Sequence, residues 1–74
     1  MRIKVDLESD ALHFRISEEP IEESEEISNG FIVDYDASGR LVGIEILNVK
    51  EKFKIEDLTG LKLEIPTVEM GVAI

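Results

Sequence analysis

The run from Gly30 to Val49 constrains this chain most. Phe31, Val33 and Tyr35 lead into Asp36-Ala37-Ser38-Gly39-Arg40, and Leu41, Val42, Ile44, Ile46 and Leu47 lead out. Apolar residues at period two on both sides of a short polar break specify two strands and a hairpin. Asp36 and Gly39 are the expected turn residues. The first suits the corner of a type I turn, and the second tolerates the positive φ that closes it. Taking Ala37–Gly39 as the loop pairs Tyr35 with Leu41, Asp34 with Val42, Val33 with Gly43, Ile32 with Ile44 and Phe31 with Glu45. One face then carries Ile32, Val42, Ile44 and Ile46, and the other Phe31, Val33, Tyr35, Leu41 and Leu47. Two apolar faces require two covers. A helix of this chain is one. The C-terminal segment or a second copy of the protein is the other.

The same stretch resembles a calcium loop by ligand count. Asp34, Asp36, Ser38, Gly39 and Glu45 fall at the first, third, fifth, sixth and twelfth positions of an EF-hand pattern. An EF-hand loop needs a helix on each side, whereas these flanks alternate like strands. In the pairing above Asp34 and Glu45 also point to opposite faces and share no ion. Asp34, Asp36 and Ser38 remain the candidates for a divalent cation at the turn.

Elsewhere the pattern is again mostly β. Ile3, Val5 and Leu7 alternate with charged residues, as do Leu12, Phe14 and Ile16 with Ala11, His13 and Arg15, across the polar break Glu8-Ser9-Asp10. This reads as a hairpin. Six glutamates lie within residues 18–26, around Pro20. Such a run is a solvated loop with a short edge strand near Ile21–Ile27, or a docking strip for a basic partner. Asn48 with Glu51 has capping-box spacing, and Val49, Phe53 and Leu58 share a helical face before Gly60. A short helix over about 49–58 is expected. Leu61, Leu63 and Ile65 alternate as a strand up to Pro66. Val68, Met70, Val72 and Ile74 continue the alternation and are expected to dock on the sheet or across an interface.

The 74 residues carry a net charge of −9, are 43% hydrophobic and contain no cysteine. That hydrophobic fraction is too high for an acidic disordered tail. The charge disfavours direct nucleic-acid binding and favours a basic partner. With no disulfide or thiolate metal staple, a domain this small must draw added stability from local structure or association. No apolar run approaches a membrane span. The chain is expected to be a soluble, unprocessed cytoplasmic protein. The fold class read from these patterns is α+β: an antiparallel β-meander sheet of about four to six strands against one short helix, in a single domain over residues 1–74.

Three pieces together resemble a known small family. They are Lys4-Val5-Asp6 followed by Asp10-Ala11-Leu12-His13-Phe14-Arg15-Ile16, the run Glu23-Ser24-Glu25-Glu26, and Gly30-Phe31-Ile32-Val33-Asp34-Tyr35-Asp36 followed by Gly39-Arg40-Leu41-Val42-Gly43-Ile44-Glu45-Ile46-Leu47. In order and spacing the chain is similar to the prokaryotic proteins of Domain of Unknown Function 2283, over residues 1–55, with 60–74 an apolar extension outside it. The resemblance implies a small sheet-plus-helix domain with no established enzyme activity. Some members are suspected antitoxins beside small ribonuclease-like toxins.

Few residues point to chemistry. His13 is the single histidine. It falls out of phase with Leu12 and Phe14, so it faces the polar side of its strand. Paired with a carboxylate such as Asp10 or Asp34, it is the candidate general base. None of the serines sits in a nucleophile elbow, and neither Gly39 nor Gly43 begins a phosphate-cradling loop. The expected function is a non-enzymatic protein-interaction module without cofactors. It would be a homodimer through Phe31, Val33, Tyr35, Val68, Met70 and Val72, with a basic partner protein such as a toxin. The alternatives are a small enzyme using His13 and a divalent-metal module at Asp34–Ser38.

Overall fold

The structure, a computed structural model, describes residues 1–66. Among these are five strands: β1 (Arg2–Asp6), β2 (Ala11–Arg15), β3 (Glu23–Ser28), β4 (Phe31–Tyr35) and β5 (Leu41–Leu47). A four-residue helix, α1 (Val49–Lys52), and a 3-10 turn, Ile55–Leu58, follow. The strands form one sheet in the order β1-β2-β5-β4-β3, and every neighbouring pair is antiparallel. The α+β architecture with one short helix is as expected. The β1–β2 hairpin and the β3–β4–β5 meander are joined by residues 16–22, which carry the chain past β5 and β4.

The register corrects the expected hairpin. Tyr35 pairs with Leu41, but the next pair is Asp34 with Gly43, followed by Val33 with Ile44, Ile32 with Glu45 and Phe31 with Ile46. Val42 is the extra residue of a β-bulge, and it shifts every later pair by one. Because side chains alternate with period two, a one-residue slip exchanges the faces of one strand relative to the other. The two apolar faces expected of this hairpin are therefore one apolar and one largely polar face.

The rows across the sheet show the result. Ile3, Phe14, Ile44 and Val33 lie side by side, as do Val5, Leu12, Ile46 and Phe31. On the opposite face run Lys4, His13, Glu45, Ile32 and Glu26, and beside them Arg2, Arg15, Gly43, Asp34 and Ser24. At β3 the apolar rows end in Glu25 and Ser28. All six residues of that edge strand are exposed. A glutamate-rich edge opposes pairing with other strands.

The bulge also anchors the crossing segment. The Val42 carbonyl accepts both Ile16 N–H at 2.9 Å and Ser17 N–H at 3.2 Å. The Arg15 guanidinium donates from Nε to the Ser17 carbonyl at 2.6 Å, and also to the Glu19 carbonyl. Val42 itself is 1% exposed.

The helix differs from the expected one. Val49 is fully buried, but Phe53 turns extended at the C-cap and Lys54 continues extended before the 3-10 turn. One buried residue gives too little burial to hold a helix through three turns. Asn48 adopts a left-handed conformation and makes no side-chain cap. Asp10, at the β1–β2 turn, takes that role across space. Its carbonyl accepts Val49 N–H at 3.1 Å and its Oδ1 accepts Lys50 N–H at 3.0 Å. Lys52 Nζ donates to the Leu47 carbonyl and lies 5.2 Å from the centre of the Phe31 ring.

Leu61–Ile65, expected as a strand, is assigned no strand and is exposed. Val68, Met70, Val72 and Ile74 lie outside the described residues. Among the described residues the buried apolar ones are few: Ala11, Leu12, Val33, Val42 and Val49.

Gly43 sits where a side chain has no room. A Cβ there would lie 3.1 Å from Asp34 Oδ2 and 3.3 Å from the Phe14 carbonyl oxygen. The backbone neighbour cannot swing aside. Gly43→Ala is expected to destabilise the fold by about 1–3 kcal/mol, the usual cost of overpacking, read as a lower urea midpoint with an unchanged slope.

Candidate functional site

Two depressions lie on opposite faces of the sheet. On the polar face a cleft of about 200 Å³ is lined by Lys4, His13, Arg15, Ile21, Asp34 and Glu45, among others. The strand register brings these side chains together. His13 sits between Lys4 on β1 and Glu45 on β5, and its Nδ1 lies 3.1 Å from Glu45 Oε1. Asp34 reaches the cleft from the neighbouring row. It is 4% exposed, its Oδ1 accepts the Ser24 hydroxyl at 2.6 Å, and its Oδ2 lies over Gly43. A buried carboxylate needs such donors to offset the water it has lost.

This arrangement revises two expectations about the carboxylates. Asp34 and Glu45 were expected on opposite faces, but the bulge places both on the polar one, and both line the cleft. Asp10, a candidate partner for His13, is committed to capping α1 instead. Glu45 is the carboxylate that His13 meets. That neighbour is set by the β2–β5 register, which the alternation within each strand does not reveal.

The turn candidates separate. Asp36 Oδ1 accepts Ser38 N–H at 2.9 Å, the Ser38 hydroxyl at 2.7 Å and Arg40 N–H at 2.9 Å. Gly39 holds φ 85° and donates to the Asp36 carbonyl at 3.0 Å. Asp36 and Ser38 are thus tied to the turn, while Asp34 is tied to β3 through Ser24. Among the described residues no group of three or more histidine, aspartate or glutamate side chains is placed to hold a metal ion.

On the apolar face a larger groove of about 620 Å³ opens between the sheet and the 3-10 turn. Met1, Ile3, Leu12, Ile46, Leu58 and Leu61 are among its lining residues. Of the residues expected to form an interface, Phe31 and Tyr35 are half-buried. Val33 is buried within its own chain at 9% exposure, because the bulge puts it in the apolar row between Ile44 and Glu25. It is corrected to a core position.

The family model described as "Protein of unknown function (DUF2283)" matches residues 2–50, from the start of β1 into α1. The chain belongs to the DUF2283 family. The matched span contains the whole sheet, the bulge and the polar cleft of this DUF2283 chain, and it stops short of the 3-10 turn and the Leu61–Ile65 segment. No curated protein and no solved structure matches the chain. Among the described residues no helix is long and apolar enough to cross a membrane.

The charges at the turns carry a pH signature. The Ser38 hydroxyl, then the Arg40 amide, hold the Asp36 carboxyl below its ordinary value of 3.8. The Ser9 amide does the same for Asp6, and the Arg2 guanidinium for Glu18. A carboxyl depressed in the folded state contributes stability above its unfolded pKa and loses it as pH falls through the folded value. Asp36→Ala is therefore expected to be less stable than the parent at pH 7. Urea midpoints of the two proteins should converge as the pH is taken below about 4.

Proposed function

We infer that this protein is a non-enzymatic interaction module that associates with itself through the apolar face of its sheet. The observation carrying this reading is the open groove above Ile3, Leu12 and Ile46, bordered by large exposed apolar residues. Met1 is 65% exposed and Leu61 73%. A chain with so small a buried core gains more from covering that face than from any further contact of its own.

A basic protein is the partner class that fits the remaining surface. The net charge is −9, and β3 presents Glu23, Glu25 and Glu26 along an exposed edge. An antitoxin that neutralises a small basic toxin is the most specific form of this reading. It rests on charge and on the family resemblance.

Light scattering across a dilution series tests self-association. The expected mass is twice the 8.3 kDa of the chain at the upper concentrations. A monomer throughout overturns the reading.

A second reading is supported by the polar cleft, which joins His13, Glu45 and Asp34. Glu45 can hold the imidazole through Nδ1 and leave Nε2 toward solvent, an arrangement suited to moving a proton. In this reading the protein is a small enzyme with His13 as base. His13→Ala would then abolish turnover of whichever substrate a hydrolase screen reveals, with the fold intact by circular dichroism. If no substrate in such a screen separates parent from variant, the cleft is structural.

A further inference from the structure

The cleft on the polar face carries charge of both signs, and the signs are separated. Arg2, Lys4 and Arg15 line its β1–β2 side, in a chain whose net charge is −9. Asp34 on β4 and Glu45 on β5 line the other side. Arg15, Gly43 and Asp34 stand in one row across three strands. Two strand spacings, about 9–10 Å, therefore separate the backbones of Arg15 and Asp34. Gly43 between them brings no side chain, and the floor of the row stays open. Lys4, His13 and Glu45 form the adjoining row.

Part of this charge is already used. Arg2 pairs with Glu18, and Arg15 donates from Nε and Nη2 to the Ser17 and Glu19 carbonyls. The rest is not. Among the described residues Lys4 makes no ion pair and Arg15 Nη1 no hydrogen bond. Asp34 is buried, with Oδ1 taken by the Ser24 hydroxyl and no described donor on Oδ2. Among the described residues no side-chain oxygen sealed from solvent lacks a partner. Oδ2 is thus open to the cleft that Asp34 lines. A buried carboxylate with an unused oxygen calls for a donor.

The two signs select the ligand. A simple anion drawn to Lys4 and Arg15 meets Asp34 and Glu45, and a simple cation meets the reverse. A molecule carrying both charges close together meets each with its opposite. The cleft holds about 200 Å³, below the ~300–1,000 Å³ of sites for drug-sized ligands, so the molecule is small. Ile21, on the crossing segment, adds an apolar wall that is 44% exposed.

We propose that the cleft binds a free α-amino acid with an apolar side chain. Its ammonium donates to Asp34 Oδ2 and Glu45, and its carboxylate accepts from Lys4 Nζ and Arg15 Nη1. Its side chain lies against Ile21. The proposal uses the cleft of the second reading above and requires no turnover.

An amide NMR titration with free leucine tests this. Saturable shifts at Lys4, Gly43 and Glu45 are expected, with a Kd of about 1 mM or below for a ligand this small. Isopentylamine lacks the carboxylate and isocaproic acid lacks the ammonium. Each should bind about tenfold more weakly than leucine, the usual loss of a charged hydrogen bond. Lys4 is exposed, so Lys4→Gln should keep the parent's circular dichroism. It should weaken leucine about tenfold and leave the amine no weaker. Glu45→Gln should weaken leucine and the amine and spare the acid. The proposal is overturned if leucine moves none of these amides. It is also overturned if either half-ligand binds as well as leucine, or if a correctly folded Lys4→Gln binds leucine like the parent. His13-dependent turnover of another substrate, without leucine binding, overturns it and leaves the enzyme reading standing.

Discussion

Val42 stands between two pairs, Tyr35 with Leu41 and Asp34 with Gly43, and has no partner of its own on β4. The division of the sheet into an apolar and a polar side depends on that one unpaired residue. Without it, Ile44 would face the same way as Ile32, and Glu45 the same way as Phe31. With it, Val33 and Phe31 join the row of Ile44 and Ile46, and Asp34 falls on the same face as Glu45. The Val42 carbonyl receives the crossing segment, in line with the β2–β5 ladder. Gly43 then leaves the space into which the Asp34 carboxylate folds. The register of β4 on β5 and the place of Asp34 in the cleft both follow from Val42.

Much of the sheet was legible in the alternation itself. The β1–β2 hairpin, the glutamate edge strand and the Asp36–Gly39 turn each follow from local pattern and turn chemistry. The bulge was hidden because a period-two count over Leu41–Leu47 contains no marker for an extra residue. Gly43 was the available clue, since glycine inside a strand often marks a bulge or a close approach. The helix was overextended for a different reason. Val49, Phe53 and Leu58 have helical spacing, but only Val49 is buried. Spacing alone does not say whether a surface is there to receive the stripe. The cap failed similarly: Asn48 and Asp10 are both competent, and only the packing of the hairpin against α1 selects the second.

The two faces make opposite electrostatic demands. On the polar side, Arg15 donates to backbone carbonyls and His13 Nδ1 lies beside Glu45. On the apolar side, a large part of the surface remains in water. A domain of this size hides only about 60% of its unfolded surface, and Met1 and Ile3 are among the large apolar residues left exposed. The glutamates of β3 oppose growth through the sheet edge.

The cap on α1 has a consequence for the order in which this chain folds. Asp10 and Lys50 are 40 residues apart in sequence. A helix of four residues has no stability in isolation. Its first turn can therefore persist only after the β1–β2 hairpin has closed and β5 has docked beside β2. The helix is a late event that locks the two halves of the chain together. Its loss on unfolding should be an early one, because the bond that nucleates it spans the longest closed loop among these hydrogen-bonded contacts.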